Sequence, residues 1–239
     1  MDLTPFLRLM AERRASDCFF SVGAPASIKI EGDTHYIDAQ PLTSEDVRSM
    51  AYSVLSDRQQ REYEATLEMN LAFDAAGIGR FRVNVYRQRG QPAMAVRYIT
   101  AEIPSIEALN LPRKLEELVM LPRGLVLVVG STGSGKSTTL AAMIDWRNMH
   151  KSGHILTIED PIEFVHRHKA SIVDQREIGI DTLSYENALK NAMREAPDVI
   201  LIGEIRDRET MKHAIAYAET GHLCLSTLHA NNSYNALNR

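Results

Sequence analysis

The chain has 239 residues, of which 44% are apolar and 24% are charged. These fractions are typical of globular proteins, so the composition argues against a disordered chain, a collagen-like repeat and a disulfide scaffold. The formal net charge of −4 argues against a general nucleic-acid binder, and no nucleic acid is expected as a partner. The longest clearly apolar run, residues 125–129, is far shorter than the ~20 residues that cross a bilayer. We therefore expect a cytoplasmic protein.

Residues 1–100 combine helix and strand patterns, which predicts a compact α+β domain. Thr4 and Pro5 begin a first helix, and Thr43 begins a second, with Asp46 three residues later. Asp57 is the candidate cap of a third helix. Short β-like runs are expected at residues 27–30, 70–73, 80–86 and 93–99.

From residue 123 the pattern changes to apolar strands that alternate with helices, which predicts an α/β architecture. A continuous apolar run such as residues 125–129 is typical of a strand buried on both faces of a parallel sheet. The segment before it, residues 101–122, contains three prolines and is predicted to be a linker with a short helix. Further strands are expected at residues 154–158, 199–202 and 223–228, and helices at residues 136–148, 185–194 and 208–219.

The strongest motif is G-x-x-x-x-G-K-S at residues 130–137, between an expected strand and an expected helix. In such a P-loop the glycines let the backbone wrap around phosphates, Lys136 reaches the β- and γ-phosphates, and the Ser137 hydroxyl binds Mg²⁺. ATP and Mg²⁺ are therefore the expected cofactors. The candidate nucleotide-binding residues are Gly130, Ser131, Thr132, Gly133, Ser134, Gly135, Lys136, Ser137 and Thr138.

Acidic residues follow two later strands. One apolar strand ends in Glu204, the layout of a Walker B motif, although Gly203 stands where many P-loop enzymes carry a metal-binding Asp. Glu204 is therefore a candidate for holding Mg²⁺ through a water molecule. The other strand is followed by Glu159, Asp160 and Glu163, and one of these three is the candidate general base. Because strand ends of a parallel sheet converge on a ligand crevice, both segments are expected near the P-loop.

The histidines give a weaker signal. His222 and His229 stand at the two ends of an expected strand, without companions at metal-ligand spacing. Metal binding by these histidines is therefore not expected. His166 and His168 are predicted to lie on a surface loop.

The order of the motifs resembles the secretion ATPases of bacterial type II and type IV systems: Walker A, an acidic box, a Gly-Glu Walker B pair and a histidine box. The first hundred residues, with Arg-Phe-Arg-Val-Asn at residues 80–84, resemble the PAS-like domain of the pilus retraction ATPases of the PilT/PilU family. The resemblance implies an α+β PAS-like domain at residues 1–100, a linker at residues 101–122, and an α/β RecA-like P-loop ATPase core at residues 123–239 that is incomplete at its C-terminus.

The same resemblance implies a homo-hexameric motor, cytoplasmic and peripheral at the inner membrane through its partners, that hydrolyses ATP to retract type IV pili in twitching motility. The implied partners are a platform protein of the inner membrane and a paralogous retraction ATPase. Glu163 would be the catalytic carboxylate and Glu204 the Walker B residue. The other implied site residues are Arg82 and Arg97 of the N-terminal domain, Arg194 and Arg206 of the core, and His222 and His229 near the phosphates. For Arg82 the strand pattern alone predicts only a solvated face.

Within the family, three features favour the PilU branch: Ser131 in the P-loop, Ala196 before Pro-Asp, and the run from Ala230 to Asn232. The family's C-terminal region lies beyond Arg239. We therefore expect a C-terminally truncated chain that binds ATP but assembles poorly.

Other functions stay open at this stage. A pilus-assembly or type II secretion ATPase would carry a larger N-terminal extension and a four-cysteine zinc element, and this sequence has two cysteines. A P-loop DNA motor is disfavoured by the net negative charge. A nucleotide-binding but catalytically idle subunit is disfavoured by the intact Lys136, Glu163 and Glu204.

Overall fold

The computed structural model describes residues 1–99, 102–230 and 232–237. The chain divides into two compact units, Met1–Ala101 and Glu102–Arg239. No helix in the part of the chain that the structure describes is both long and apolar enough to span a membrane.

Unit 1 is built on a six-stranded antiparallel sheet in the order β3-β2-β1-β6-β5-β4. Phe81, Val83 and Val85 alternate along β5 and are fully buried in one core with residues of the three helices. The opposite face of β5 carries Arg80 and Arg82, as the two-residue period predicts. The elements of unit 1 are α1 (Thr4–Arg13), β1 (Asp17–Ser21), β2 (Ser27–Ile30), β3 (Asp33–Tyr36), α2 (Ser44–Val54), α3 (Asp57–Thr66), β4 (Glu68–Ala75), β5 (Gly79–Gln88) and β6 (Gln91–Ile99).

Local sequence signals account for two of the helix starts in unit 1. Thr43 caps α2 in a capping box with Asp46, as predicted. The cap of α3 is Ser56, which is extended and forms a capping box with Gln59. The prediction of Asp57 as the cap was wrong by one residue, because Asp57 is already helical.

Unit 2 is an α/β unit, in agreement with the predicted architecture of the core. Its five strands are all parallel, in the order β7-β11-β10-β8-β9. Two separate apolar cores, one containing residues of α5 and the other residues of α6 and α7, bury its strands. The elements of unit 2 are α4 (Lys114–Val119), β7 (Gly124–Val129), α5 (Lys136–His150), β8 (Gly153–Glu159), β9 (Ser171–Glu177), α6 (Tyr185–Ala192), a 3-10 helix (Met193–Glu195), β10 (Val199–Ile202), α7 (Arg208–Glu219), β11 (Leu223–Leu228) and α8 (Ser233–Leu237).

Two parts of unit 2 differ from the sequence expectation. β7, expected to be buried on both faces, is half-buried and lies at one end of the described sheet. Residues 102–122, expected to be a linker, pack as part of unit 2, since Ile106 and Val119 are buried in the same core as α5. Arg147 of α5 is itself buried and donates hydrogen bonds to the carbonyls of Val119 and Leu121, at 2.6 and 3.1 Å.

The strand direction determines where the functional loops lie. Because β7, β8, β10 and β11 are mutually parallel, their carboxyl ends share one edge of the sheet. The P-loop follows β7, the acidic segment follows β8, and Gly203 and Glu204 follow β10.

Candidate active site

A pocket of about 360 Å³ opens at this edge of the sheet. Its walls are the P-loop, the first turn of α5 and the segments that follow β8, β10 and β11. The predicted site residues that line it are Thr132, Gly133, Gly135, Lys136, Ser137, Thr138, Glu163, Glu204, Arg206 and His229. Gly130, Ser131 and Ser134 belong to the loop but do not line the pocket.

The P-loop is shaped by its glycines. A Cβ on Gly130 would lie 2.5 Å from the Ser134 hydroxyl oxygen, which itself donates to the Ser131 carbonyl at 2.8 Å. Gly135 has a φ of +87°, a conformation that favours glycine, and immediately precedes α5. No side chain caps α5, so the N–H groups of its first turn and its positive dipole end are available to an anion in the pocket.

The P-loop lysine lies over this loop. Lys136 donates from Nζ to the Ser131 carbonyl at 2.8 Å. Its ammonium group is therefore held at the loop that would wrap the phosphates, where it would neutralise their charge.

Glu204 belongs to a cluster of charged side chains. Its carboxylate accepts from Arg206 Nε at 2.7 Å and lies 2.9 Å from His229 Nε2. Arg206 also pairs with Asp160 at 3.2 Å. The segments after β8, β10 and β11 are therefore joined by side chains at the pocket.

The three carboxylates after β8 occupy different environments. Glu163 is exposed at the pocket, while Asp160 is paired with Arg206. Glu159 is half-buried at the wall of the pocket, and its carboxylate accepts from Thr157 Oγ1 at 2.6 Å and from Gln175 Nε2 at 3.2 Å. Burial outweighs these hydrogen bonds and raises the pKa of Glu159 to about 7.

His166 corrects a sequence expectation. It was predicted on a surface loop, but it is 7% exposed and lines the pocket. Burial lowers its pKa to about 4, so the imidazole is neutral near pH 7. Its Nδ1 has no hydrogen-bond partner among the described residues. One histidine in a loop sequence carries no signal of burial, so the residue was missed.

The structure does not bring His222 and Arg194 to this pocket. His222 precedes β11 and so lies at the amino edge of the sheet, where its ring is near Thr220 and the Tyr217 carbonyl. Arg194 lies in the 3-10 helix and bonds to Asn191 at 3.2 Å. Neither residue lines the pocket, and the functional roles that the resemblance implies for them stay predictions.

The N-terminal arginines lie in unit 1. Arg82 of β5 and Arg97 of β6 are register partners. Arg97 pairs with Asp17 of β1 at 2.8 Å, and Arg80 pairs with Asp74 of β4 at 3.0 Å. Arg82 and Arg97 are therefore neighbours on one sheet.

The pocket fits a nucleotide with Mg²⁺. The Ser137 hydroxyl and the Glu204 carboxylate are oxygen donors of the kind that Mg²⁺ takes together with phosphate oxygens. The described residues hold no group of three or more His, Cys, Asp or Glu side chains that could bind a metal by themselves. Mg²⁺ would therefore take part of its ligand shell from the phosphates.

Comparison with known proteins identifies the family of the chain and several similar proteins. Residues 79–239 match the family described as "Type II/IV secretion system protein". The chain is 52% identical to the type IV pilus ATPase PilU of Pseudomonas aeruginosa and 44% identical to the type IV pilus retraction ATPase PilT of that organism, over its whole length in both cases. It spans 63% of the first relative's length and 70% of the second's. A crystal structure of the pilus retraction motor PilT with bound ADP superposes with a TM-score of 0.93, at 47% identity, and covers 100% of this chain and 70% of that one.

The raised pKa of Glu159 predicts how stability changes with pH. Its ordinary value is 4.5 and its folded value about 7, so between these values the folded chain keeps a proton that the unfolded chain releases. Its contribution to stability is complete below pH 4.5 and declines as the pH rises through 7. We expect Glu159→Gln to gain about 1 to 3 kcal/mol of unfolding free energy relative to the wild type between pH 5 and pH 8.

Denaturant unfolding at both pH values measures this difference, with Trp146 of α5, the single tryptophan of the chain, as the fluorescent reporter of unit 2. Glu219→Gln, at an exposed position of α7, is the matched control and should show no such trend. A difference between Glu159→Gln and wild type that is equal at pH 5 and pH 8 would contradict the assignment.

Proposed function

The chain belongs to the type II/IV secretion system protein family, and on that premise we propose that it is an ATP-hydrolysing motor that powers the retraction of type IV pili. One observation carries the proposal: the P-loop, Glu163 and Glu204 meet in a single pocket. Identity with PilU and PilT along the whole chain supports retraction as the work that hydrolysis drives.

In the proposed reaction the P-loop binds the phosphates of ATP. The N–H groups at the start of α5 donate to phosphate oxygens, and Lys136 exchanges its bond to the Ser131 carbonyl for the β- and γ-phosphates. Ser137 and Glu204 would hold Mg²⁺, which when bound neutralises charge on the phosphates. Arg206, which pairs with Glu204, adds a further positive charge at the pocket.

Glu163 is proposed as the residue that prepares the attacking water. It is exposed at the pocket, whereas the Glu159 carboxylate accepts from Thr157 and Gln175, and Asp160 is paired with Arg206. A carboxylate in this position can accept a proton from water as the water attacks the γ-phosphate. His229, which contacts Glu204, is proposed to respond to the phosphates through that carboxylate.

The assignments of the two units are part of the same proposal. Unit 1 is proposed to be a PAS-like domain whose Arg82 and Arg97 reach a nucleotide, and unit 2 to be a RecA-like core. We further propose a homo-hexamer in the cytoplasm that acts on a platform protein of the inner membrane, with a paralogous retraction ATPase as a second partner. These proposals rest on membership of the family and on the identity with PilU and PilT.

Substitutions in the pocket should separate nucleotide binding from hydrolysis. Lys136→Ala removes the cation at the phosphates, and ATP affinity should fall at least ~10-fold by calorimetry. Glu163→Gln keeps the size of the side chain but cannot accept a proton, so kcat should fall ~10²-fold while affinity is retained. Lys212→Ala and Glu219→Gln, on exposed positions of α7, are the matched controls. Unchanged affinity in Lys136→Ala would refute the proposed phosphate contact.

Retraction can be distinguished from pilus assembly in cells. We expect a deletion strain to keep surface pili and lose twitching motility, and complementation with the Lys136→Ala gene to fail. The Lys212→Ala gene should restore motility. A deletion strain without surface pili would indicate an assembly motor and contradict the proposal.

A further inference from the structure

Gln175 lies on β9, where it is the register partner of Thr157 on β8. It does not line the pocket, yet both ends of its amide are bonded to the segment that carries Glu163. Its Nε2 donates to the Phe164 carbonyl at 2.9 Å and to Glu159 at 3.2 Å. Its Oε1 accepts from the backbone N–H of His166 at 2.7 Å.

This set of partners requires a primary amide. The Phe164 carbonyl can only accept and the His166 N–H can only donate, so the orientation of the amide is determined by its neighbours. A carboxylate at this position would face the carbonyl oxygen of Phe164 and the carboxylate of Glu159. An apolar side chain of the same length would leave both backbone groups without these bonds.

Hydrogen bonds from Glu177 and Gln175 hold the backbone on both sides of Glu163. Glu177 of β9 accepts from the N–H of Ile162 at 3.1 Å. Gln175 then holds the two following residues, Phe164 and His166. The backbone is therefore held before and after Glu163, while the Glu163 side chain remains exposed at the pocket.

We propose that Gln175 is a positioning residue that holds Glu163 at the attacking water. The inference rests on the proposed ATPase function and deepens it. A displacement of ~1 Å at a reacting group can cost ~10²-fold in rate, so the effect of losing Gln175 should fall on kcat. Nucleotide affinity should stay within about twofold of wild type, because the P-loop contacts are on a different segment.

Two variants of nearly equal size test the role of the amide. Gln175→Glu places a carboxylate beside Glu159 and the Phe164 carbonyl, with Glu163 and the neutral His166 on the adjoining loop. The Glu159 and Glu163 carboxylates and the Phe164 carbonyl oxygen disfavour the charged form of the new carboxyl group and so raise its pKa, against the opposing effect of the His166 backbone N–H. At pH 8 its kcat should be at least ~10-fold below wild type. At pH 6 the protonated acid again offers one donor and one acceptor, so the ratio to wild type should return to within about threefold.

Gln175→Met should lose kcat to the same extent at both pH values, because its thioether has no donor, is only a weak acceptor and does not titrate. Gln91→Glu, the same chemical change at an exposed position of unit 1, is the control and should match wild type. ATP affinity by calorimetry accompanies every kcat. Wild-type kcat in Gln175→Glu at pH 8, or a loss of ATP affinity equal to the loss of kcat, would overturn the proposal.

Hydrogen exchange gives a readout that does not need ATPase activity. Amides of residues 162–166 should exchange faster in Gln175→Met than in wild type, while those of residues 130–137 should be unchanged. If the wild type hydrolyses no ATP, the proposed function fails, and the exchange result still decides whether Gln175 holds this loop. Unchanged exchange at residues 162–166, or loss of cooperative unfolding in both variants, would overturn the positioning role.

Discussion

The parallel pairing of β7, β11, β10 and β8 is the constraint on which the candidate site depends. It brings the carboxyl ends of four strands to one edge, so the P-loop, the acidic segment, Glu204 and His229 meet although they are far apart in sequence. An antiparallel partner would have sent one of these loops to the opposite edge. His222 directly precedes β11 and therefore lies at the opposite, amino edge of the sheet, away from the pocket.

The carboxylates at this edge of the sheet differ in their exposure and in their hydrogen-bond partners. Glu163 faces the pocket and Glu204 is bonded to Arg206 and His229. Glu159 is half-buried and accepts hydrogen bonds from Thr157 and Gln175. Hydrogen bonds from two side chains fix the Glu159 carboxylate in place, which leaves the exposed Glu163 carboxylate as the one suited to react.

Much of this arrangement follows from local sequence. The spacing of Gly130, Gly135 and Lys136 predicts the P-loop, and the box at Thr43 predicts the start of α2, because those structures depend on residues close together in the chain. β9 was missed because its residues 174–177 are polar and show no apolar run. The burial of His166 and the bonds of Gln175 depend on how the acidic loop packs against β9, and no local pattern records such a contact.

The central claim is that this pocket binds the phosphates of a nucleotide with a catalytic carboxylate beside them. A crystal structure of the protein with Mg²⁺ and a non-hydrolysable ATP analogue tests it most directly. The account predicts phosphate oxygens on the N–H groups of the P-loop and on Lys136, with Glu163 facing the γ-phosphate across one water molecule. A nucleotide bound elsewhere, or a Glu163 carboxylate turned away from the γ-phosphate, would contradict it.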